Sequence, residues 1–261
     1  MSDLYIDQDG GALRITFARP EVHNAFTGAM LQQIGNALDE ARTGGHVRVV
    51  VLAAEGKSFC AGADLRWMAS QAGGDHSAVL GRFFETLNRY PMPTIARIQG
   101  PVRGGGVGII SCCDIPLCTR AASFALTEVR LGLAPAVISP YVVRKIGVAA
   151  ARELFVTGET FDADRAQRLQ LVNHVFNSER EMDRAITRLT SSVIKGGPVA
   201  VAECKNLALT MGEVPTDEAL TTTTALIARL RAGEEGQEGM RSFLEKRAAS
   251  WVLEAEGGDE R

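Results

Sequence analysis

The chain has 261 residues, of which 46% are apolar and 23% charged, and its formal net charge is −3. These values are typical of a globular protein and exclude collagen-like, disordered and membrane-embedded chains. Because roughly 100 to 200 residues form a usual domain, we expect one large domain or a main body with a smaller appendage. Lys and Arg number 28 against 31 Asp and Glu, and no basic run occurs, so nucleic acid is not an expected partner.

The amino terminus and the cysteines both indicate a cytoplasmic protein. Residues Met1–Gly10 lack the basic start and the apolar run of a secretory signal. Five cysteines are an odd number, they lie in apolar or Gly/Ala-rich segments, and none forms a C-x-x-C pair: Cys60, Cys112, Cys113, Cys118 and Cys204. The sequence therefore predicts buried, reduced thiols. The histidines are scattered, so no metal site is expected.

Apolar patterning in the first half predicts strands that alternate with helices. Leu13–Phe17 alternates apolar and polar residues, as in a half-buried strand. Thr27–Arg42 repeats apolar residues at three and four positions, which predicts an amphipathic helix. Three further apolar segments are predicted buried strands: Val47–Ala53, Thr94–Gln99 and Asp114–Thr119. This order indicates an α/β fold.

Past Ser139 the pattern becomes mainly helical, with one short apolar stretch at Leu171–Phe176. The segments with helical periodicity are Arg152–Phe155, Asp162–Leu169, Arg180–Ile194, Val199–Leu209, Thr216–Arg231 and Gly239–Ala249. We find no internal repeat and no low-complexity linker. The sequence therefore predicts a sheet-based core over residues 1–195 and a helical carboxyl-terminal region over residues 196–261.

Two glycine-containing segments each connect a predicted strand to a predicted helix. The segments are Cys60–Leu65 (CAGADL) and Gly104–Gly108 (GGGVG). The first turn of a helix carries free backbone N–H groups and the positive end of the helix dipole, so both turns suit an anion. If the turns converge, each can aim one N–H at the same oxygen and form an oxyanion hole. The alternative is that Gly104–Gly108 only allows a helix to pack closely on a sheet.

The glycine-containing segments do not complete either of two known phosphate-binding motifs. Gly56-Lys57-Ser58 resembles the end of a Walker A motif, but Val51 stands where the first glycine is required. The dinucleotide pattern G-x-G-x-x-G, started at Gly106, meets Ser111 at its third glycine position. We discard the Walker A interpretation and keep dinucleotide binding only as a weak alternative.

Glu128 is the acidic residue that the sequence singles out. It follows the predicted strand Ser123–Leu126 in an apolar segment. A carboxyl group in apolar surroundings has a raised pKa and can exchange protons near neutral pH. Helix capping, or an ion pair with Arg130, is the competing interpretation. For Asp64 and Asp114, capping or backbone hydrogen bonding is the expected role.

A series of short motifs occurs in order along nearly the whole chain. They are Arg19-Pro20, His23-Asn24-Ala25, Ser58–Leu65, Gly104–Gly106, Cys113–Ile115, Phe124–Glu128, Gly132–Pro135, Glu235-Gly236 and Phe243–Arg247. Together they resemble the enoyl-CoA hydratase/isomerase (crotonase) family. The resemblance implies a crotonase-like ββα spiral core and a helical carboxyl-terminal trimerisation region, in a homotrimer or homohexamer. It also implies an acyl-CoA thioester as substrate, with coenzyme A as part of that substrate and no tightly bound cofactor, metal or membrane contact.

The same resemblance assigns roles to individual residues. The family's two oxyanion N–H groups correspond to Ala63 and Gly105, and its acid/base glutamate corresponds to Glu128. Trp67 and Met68 are expected near the acyl group or in the core. The remaining positions expected to contact the substrate are Ala61, Gly62, Asp64, Leu65, Arg66, Gly104 and Ala136.

One position departs from the family's two-glutamate hydratases, because Gly108 stands where the second glutamate is expected to act. The resemblance therefore also admits Δ3-Δ2 enoyl-CoA isomerases, whose single carboxylate moves a proton between Cα and Cγ. It further admits catalytically weak acyl-CoA-binding or RNA-associated members. The segments Gly104–Ile115 and Glu128–Val143 are similar to bacterial 3-methylglutaconyl-CoA hydratases of leucine breakdown, which also lack that glutamate. We predict hydration of an α,β-unsaturated acyl-CoA, with isomerisation as the alternative.

Arg103 lies directly before the glycine triplet. If the substrate carries a distal carboxylate that partly replaces the missing glutamate, Arg103 is a candidate to bind it through a charge-assisted hydrogen bond. An exposed arginine without a role toward the substrate is the competing interpretation.

Overall fold

The computed structural model describes residues 2–70 and 76–252, in which strands and helices are interspersed up to residue 176 and the described elements after it are helices. The strands are β1 (Leu4–Asp9), β2 (Ala12–Phe17), β3 (Val49–Ala54), β4 (Thr94–Ile98), β5 (Val102–Arg103), β6 (Ile115–Thr119), β7 (Ser123–Ala125), β8 (Phe161–Asp162) and β9 (His174–Phe176). The helices are α1 (Gly28–Gly44), α2 (Leu65–Ala69), α3 (His76–Arg89), α4 (Gly105–Cys112), α5 (Ser139–Thr157), α6 (Ala163–Arg168), α7 (Glu179–Lys195), α8 (Pro198–Thr210), α9 (Thr216–Ala232) and α10 (Glu234–Glu245). Short 3₁₀ helices cover Pro20–Val22, Glu128–Leu131 and Met211–Glu213. The expected α/β class is confirmed.

A six-stranded sheet forms the centre of the core, in the order β1-β2-β3-β4-β6-β9. β1 is antiparallel to β2, and the remaining pairs are parallel. Every residue of β3 is buried, as the uninterrupted apolar run predicts for a strand covered on both faces. Val50 and Leu52 lie in the larger apolar cluster with side chains of α1 and α3, whereas Val49 and Val51 lie in a smaller cluster with α7. Helices therefore cover both faces of the sheet.

A second, three-stranded sheet, in the order β5-β7-β8, positions the candidate site. β5 and β7 are parallel, with Arg103 opposite Ala125. Directly after this pair, the Gly104 N–H donates to the Ala125 carbonyl at 3.0 Å. The chain thus leaves both strands at the same edge, toward α4 in one case and toward Glu128 in the other.

Three predicted elements differ clearly in extent from the observed ones, and one of them is the helix expected at Gly239–Ala249, which is observed as α10 at Glu234–Glu245. The helix expected at Arg152–Phe155 is part of α5, which continues across a kink at Gly147, where φ is 74° and ψ is 163°. Of the apolar stretch Leu171–Phe176, only the last three residues form a strand, β9, which pairs with β6. The glycine at position 147 interrupts the helical pattern of α5, so only its later part was recognised, whereas Leu171 is apolar and buried without pairing in a strand.

The helices after residue 196 are anchored to the core by polar side chains. No residue of α8 or α9 with a described side chain is buried. Lys205 of α8 donates to Asp114 at 2.8 Å, and Asp114 also accepts from the Thr94 N–H at 2.7 Å. Asp114 thus forms the backbone hydrogen bond expected of it and ties α8 to the sheet.

The division at residues 195 and 196 stays a prediction, and residues 253–261 of the proposed second part lie outside the described residues. None of the described helices has the length and apolar composition needed to cross a membrane.

Candidate active site

Backbone hydrogen bonds hold the two glycine turns side by side. The Cys60 N–H donates to the Pro101 carbonyl at 3.3 Å, and the Arg103 N–H donates to the Cys60 carbonyl at 2.9 Å. A β-carbon built on Gly62 would lie 3.0 Å from the Arg103 carbonyl oxygen and 3.2 Å from the Gly105 nitrogen. Because Gly62 also has φ +93°, which L side chains rarely adopt, glycine is required at this contact.

The backbone N–H groups of Ala63 and Gly105 lie close together, and neither has an acceptor within the described chain. Phe26 donates to the Gly62 carbonyl at 2.9 Å and accepts from the Asp64 N–H at 2.8 Å. In a parallel pair this pattern leaves the N–H of the intervening Ala63 pointing away from the Phe26 segment. Gly105 is the first residue of α4, so its N–H has no intrahelical partner. A β-carbon on Gly105 would lie 3.6 Å from the Ala63 nitrogen.

The Glu128 carboxyl group lies against Gly104, directly before the Gly105 donor. A β-carbon at Gly104 would lie 3.3 Å from Glu128 Oε1, and Gly104 has φ +49° and ψ −124°. A side chain there would crowd the acid and require a backbone conformation that L residues rarely adopt. Glycine therefore brings the acid and the start of α4 together.

Burial determines the acid–base behaviour of Glu128. Its Oε2 atom is buried and has no hydrogen-bond partner among the described residues. Desolvation raises the pKa of this carboxyl above its usual value, against a smaller lowering by the residue's own N–H. Arg130 is exposed and contributes no charge interaction to Glu128. The ion-pair interpretation is thus wrong, and the carboxyl is available for proton exchange.

Gly108, the position expected for a second carboxylate, has no space for a side chain. A β-carbon there would lie 2.3 Å from Ile138 Cγ2, 2.8 Å from Ile138 Cβ and 3.0 Å from Phe84 Cε1. Ile138 and Phe84 are both buried. Glu128 lies against Gly104 and Ile138 lies against Gly108. Because these glycines are four residues apart, about 6 Å along α4, Ile138 contacts α4 roughly one helical turn beyond Glu128. An apolar surface thus occupies the place of the second acid.

Asp64, expected to contact the substrate, uses its carboxylate within the protein. Oδ1 accepts the N–H groups of Arg66 and Trp67 at 2.9 and 3.4 Å, which caps α2, and Oδ2 accepts from Arg19 at 3.2 Å. Burial acts to raise the pKa of Asp64, but these hydrogen bonds outweigh it and lower the pKa. The side chain therefore holds the turn that carries Ala63. Of the roles expected for Asp64, capping is the one observed.

The other expected substrate contacts lie mostly at the surface. Ala61 and Arg66 are exposed, and 58% of the Leu65 surface is exposed. Ala136 is exposed in the loop before α5, where its carbonyl accepts a side-chain hydrogen bond at 2.8 Å. Trp67 packs partly buried against the apolar core, one of the two places expected for it. Contact of these residues with a substrate stays a prediction.

Arg103 points away from Glu128. Its Nη1 donates to the carbonyls of Val102 and Ser123 at 2.9 and 2.7 Å, and its Nη2 donates to the Ser123 hydroxyl at 3.0 Å. Ser123 begins β7, whereas Glu128 lies beyond the other end of that strand. This direction argues against a bond between Arg103 and a substrate carboxylate at the Glu128 end.

Three contacts near the site were not predicted from the sequence. A β-carbon on Gly105 would lie 2.8 Å from Phe26 Cζ, so the Phe26 ring supports the donor turn. Arg19 belongs to a recognised motif, but its partner Asp64 is 45 positions away. Ile138 gives no local signal, because its contact with α4 is created by the tertiary fold.

The cysteine beside the site is a buried thiol. Cys60 Sγ accepts from the Gly62 N–H at 3.4 Å, and burial raises the pKa of Cys60 to about 12. Within residues 2–70 and 76–252, no group of three or more His, Cys, Asp and Glu side chains is arranged to hold a metal ion. The chemistry visible at the site is that of two backbone donors and one acid.

Comparison with known proteins identifies the class of enzyme. The family model described as enoyl-CoA hydratase/isomerase matches residues 7–253. A putative enoyl-CoA hydratase of Thermus thermophilus is 31% identical to this chain, covering 93% of this chain and 98% of the relative. The 2,3-dehydroadipyl-CoA hydratase of Escherichia coli K12 is also 31% identical, covering 95% of this chain and 97% of the relative.

A solved structure agrees with the family match. The crystal structure of a putative enoyl CoA hydratase/isomerase (crotonase) from Legionella pneumophila has a TM-score of 0.86 and 41% sequence identity, covering 96% of this chain and 99% of that chain. The chain therefore belongs to the enoyl-CoA hydratase/isomerase family, whose members act on acyl-CoA thioesters, and it has the crotonase fold. The resemblance seen in the motifs is confirmed.

Proposed function

We propose that this protein is an enoyl-CoA hydratase, a lyase that adds water across the α,β double bond of an acyl-CoA thioester or removes it. The observation that carries the proposal is the closeness of two unpaired backbone N–H groups, at Ala63 and Gly105, to the buried carboxyl of Glu128. The names of the relatives from Thermus thermophilus and Escherichia coli support the same reaction.

In the proposed reaction the Ala63 and Gly105 N–H groups bind the thioester oxygen. Negative charge moves onto this oxygen when water adds to Cβ, and the intermediate is an enolate. Fixed donors stabilise that charge without reorganisation, and removal of one such donor typically costs about 2.7 to 4 kcal/mol of barrier. The dipole of α4, which begins at Gly105, acts in the same direction.

Glu128 moves the proton. Its carboxylate accepts a proton from water while the water oxygen bonds to Cβ and the double-bond electrons pass into the enolate. The protonated carboxyl then donates this proton to Cα, which restores the thioester carbonyl and the charge of Glu128. The raised pKa brings the two protonation states closer in free energy, which suits a group that must both accept and donate.

As substrate we propose 3-methylglutaconyl-CoA, in leucine degradation. The support is the similarity of the segments Gly104–Ile115 and Glu128–Val143 to bacterial hydratases of this thioester. The distal carboxylate of such a substrate takes over part of the role of the missing glutamate at Gly108. Because Arg103 is bound to Ser123, groups other than Arg103 recognise that carboxylate.

Δ3-Δ2 enoyl-CoA isomerisation is the second candidate reaction, and the packing at Gly108 favours it. Isomerisation needs one carboxyl group that removes a proton from one carbon and returns it to another. Glu128 meets this requirement alone, and Ile138 leaves no space for a second acid at Gly108. The oxyanion donors serve the dienolate of this reaction in the same way.

Three thioesters separate the candidate functions when each is given to the purified protein: 3-methylglutaconyl-CoA, crotonyl-CoA and a 3-enoyl-CoA. Faster hydration of 3-methylglutaconyl-CoA than of crotonyl-CoA supports the proposed substrate. Hydration of neither, together with fast conversion of the 3-enoyl-CoA, identifies an isomerase. Binding of the thioesters without turnover of any identifies a catalytically weak binding protein and refutes both reactions.

We also propose that the protein acts as a homotrimer or homohexamer in the cytoplasm. Large apolar side chains are exposed on α9 and α10: Leu220 (69%), Ile227 (63%), Phe243 (82%) and Leu244 (79%). Exposed apolar side chains of this size favour burial against another copy of the chain. The five free thiols suit a reducing compartment. Sedimentation as a single 27.9 kDa species at micromolar concentration would contradict the assembly.

A further inference from the structure

We propose that the side chain at position 138 decides whether this site holds one carboxyl group or two, so that Ile138 is a specificity-determining residue. The inference deepens the proposed function and rests on it for the reaction. Ile138 lies directly before α5 and only 4% of its surface is exposed. It belongs to the large apolar cluster, and its contact with α4 is one of volume.

The volume of Ile138 excludes a side chain at Gly108. A β-carbon at Gly108 would lie 2.3 Å from Ile138 Cγ2 and 2.8 Å from Ile138 Cβ, both closer than real β-carbons approach. Rotation about χ1 of Ile138 moves Cγ2 but leaves Cβ in place, and a β-branched side chain has few alternative rotamers. A side chain at position 108 therefore requires either a backbone shift or a smaller residue at position 138.

The nearest side-chain atoms around this contact are apolar. Phe84 Cε1 would lie 3.0 Å from the same β-carbon at Gly108, and the Phe84 ring packs against Tyr141 with a centroid distance of 6.2 Å. Phe84 is 1% exposed. Hydrocarbon from Ile138 and Phe84 thus encloses Gly108, and Glu128, roughly one turn nearer the start of α4, stays the single acid of the described site.

The side chains at positions 108 and 138 compete for the same space. Gly108→Glu alone places a side chain where Ile138 already stands, and Ile138→Gly alone leaves a cavity beside α4. The two changes together exchange the volume of an isoleucine on one segment for that of a glutamate on the facing helix. The new carboxyl then lies in the space that Ile138 vacates, on the side of α4 where Glu128 is placed.

Thermal stability gives a test that needs no substrate. Gly108→Glu is expected to lower Tm by about 5 °C or more, because overpacking destabilises a buried site. The loss in Gly108→Glu/Ile138→Gly is expected to be clearly smaller than the sum of the two single losses, which a double-mutant cycle measures. Additive losses, or a wild-type Tm for Gly108→Glu, would overturn the inference.

Hydration of crotonyl-CoA tests whether the new group acts as an acid. The double variant Gly108→Glu/Ile138→Gly is expected to be at least about 100-fold faster than either single variant, with a second ionisation in its pH profile. Gly108→Gln/Ile138→Gly, which has the same size without an ionisable group, is the matched control. A folded double variant that is no faster than this control overturns the inference. Wild-type inactivity on every enoyl thioester, with a non-additive Tm cycle, instead refutes the proposed function and supports the packing relation.

Discussion

Replacement of Glu128 by glutamine is expected to lower kcat by about 10² to 10⁴-fold, while the Kd for the thioester changes by no more than a few-fold. Each factor of ten in rate corresponds to about 1.36 kcal/mol, so the loss of transition-state stabilisation is about 2.7 to 5.4 kcal/mol. Glutamine has almost the same size, so the contact with Gly104 is kept and the change removes only proton transfer.

The structure places the expected loss toward the upper end of this range. No neighbouring acid in the described chain can replace Glu128, because the Asp64 carboxylate is bound by Arg19 and by the first turn of α2. Gly108 supplies none either, since Ile138 fills the adjacent space. Glu128 Oε2 itself has no hydrogen-bond partner among the described residues, so no neighbouring group shares its proton.

The pH profile is part of the same prediction. As a base Glu128 acts in its ionised form, so kcat/KM for hydration falls as the pH falls through its pKa. Because desolvation raises this pKa, the fall comes at a higher pH than for a free glutamate.

The direction of the stability effect follows from the same shift. A carboxyl whose pKa is higher in the folded state binds its proton more tightly there than in the unfolded chain. Its stabilising contribution is therefore complete below the unfolded pKa and is lost as pH rises through the folded pKa. The non-titrating Glu128→Gln variant is expected to gain Tm relative to wild type as pH rises through this window.

Initial rates with the preferred thioester, measured across acid and neutral pH, check the kinetic prediction. Glu40→Gln, the same chemical change at an exposed position of α1, is the matched control and is expected to keep wild-type rates. Turnover of Glu128→Gln within about threefold of wild type would remove Glu128 from the mechanism and refute the proton-transfer assignment.

Three further changes test other parts of the site. Ala63→Pro removes one backbone donor and is expected to lower kcat by about 10² to 10³-fold with an unchanged circular dichroism spectrum; an unaltered kcat would exclude this N–H. Arg19→Met breaks a pair whose side chains are 17% and 15% exposed. It is expected to reduce the free energy of unfolding in urea by roughly 1 to 3 kcal/mol, and no measurable change would contradict the role of the pair. An alkylating reagent is expected to label the exposed Cys204 in the native protein and to spare Cys60, whose pKa burial raises to about 12. Mass spectrometry that finds native Cys60 labelled would contradict its burial.

β3 and β4 of the central sheet were predictable because a strand buried on both faces has an almost uninterrupted apolar sequence, whereas the mostly exposed β1 was not assigned. β3 and β4 lie within two residues of the predicted bounds. α3 was not assigned, although Leu80, Phe83, Phe84 and Leu87 recur at helical spacing on its buried face. β8 has only two residues, and its pairing with β7 depends on contacts that no local pattern encodes.

Within the site, backbone features were easier to predict than side-chain directions. Glycine turns before helices indicate exposed N–H groups from local conformation alone, and the structure brings Ala63 and Gly105 together. Arg103 shows the limit, because its place beside the glycine triplet does not reveal that its long side chain follows β7 back to Ser123. The contact between Gly108 and Ile138 is beyond any local pattern, since it joins segments 30 positions apart.

The contact between Gly108 and Ile138 restricts the mutational routes by which this chain can change its chemistry. A first step that enlarges position 108 strains the core, and a first step that shrinks position 138 opens a void. Either intermediate draws on a total stability that is only about 5 to 15 kcal/mol in most proteins. A protein with stability above this range tolerates either single substitution and can then acquire the second one. A marginally stable protein unfolds at the first substitution and therefore keeps one carboxyl group at the site.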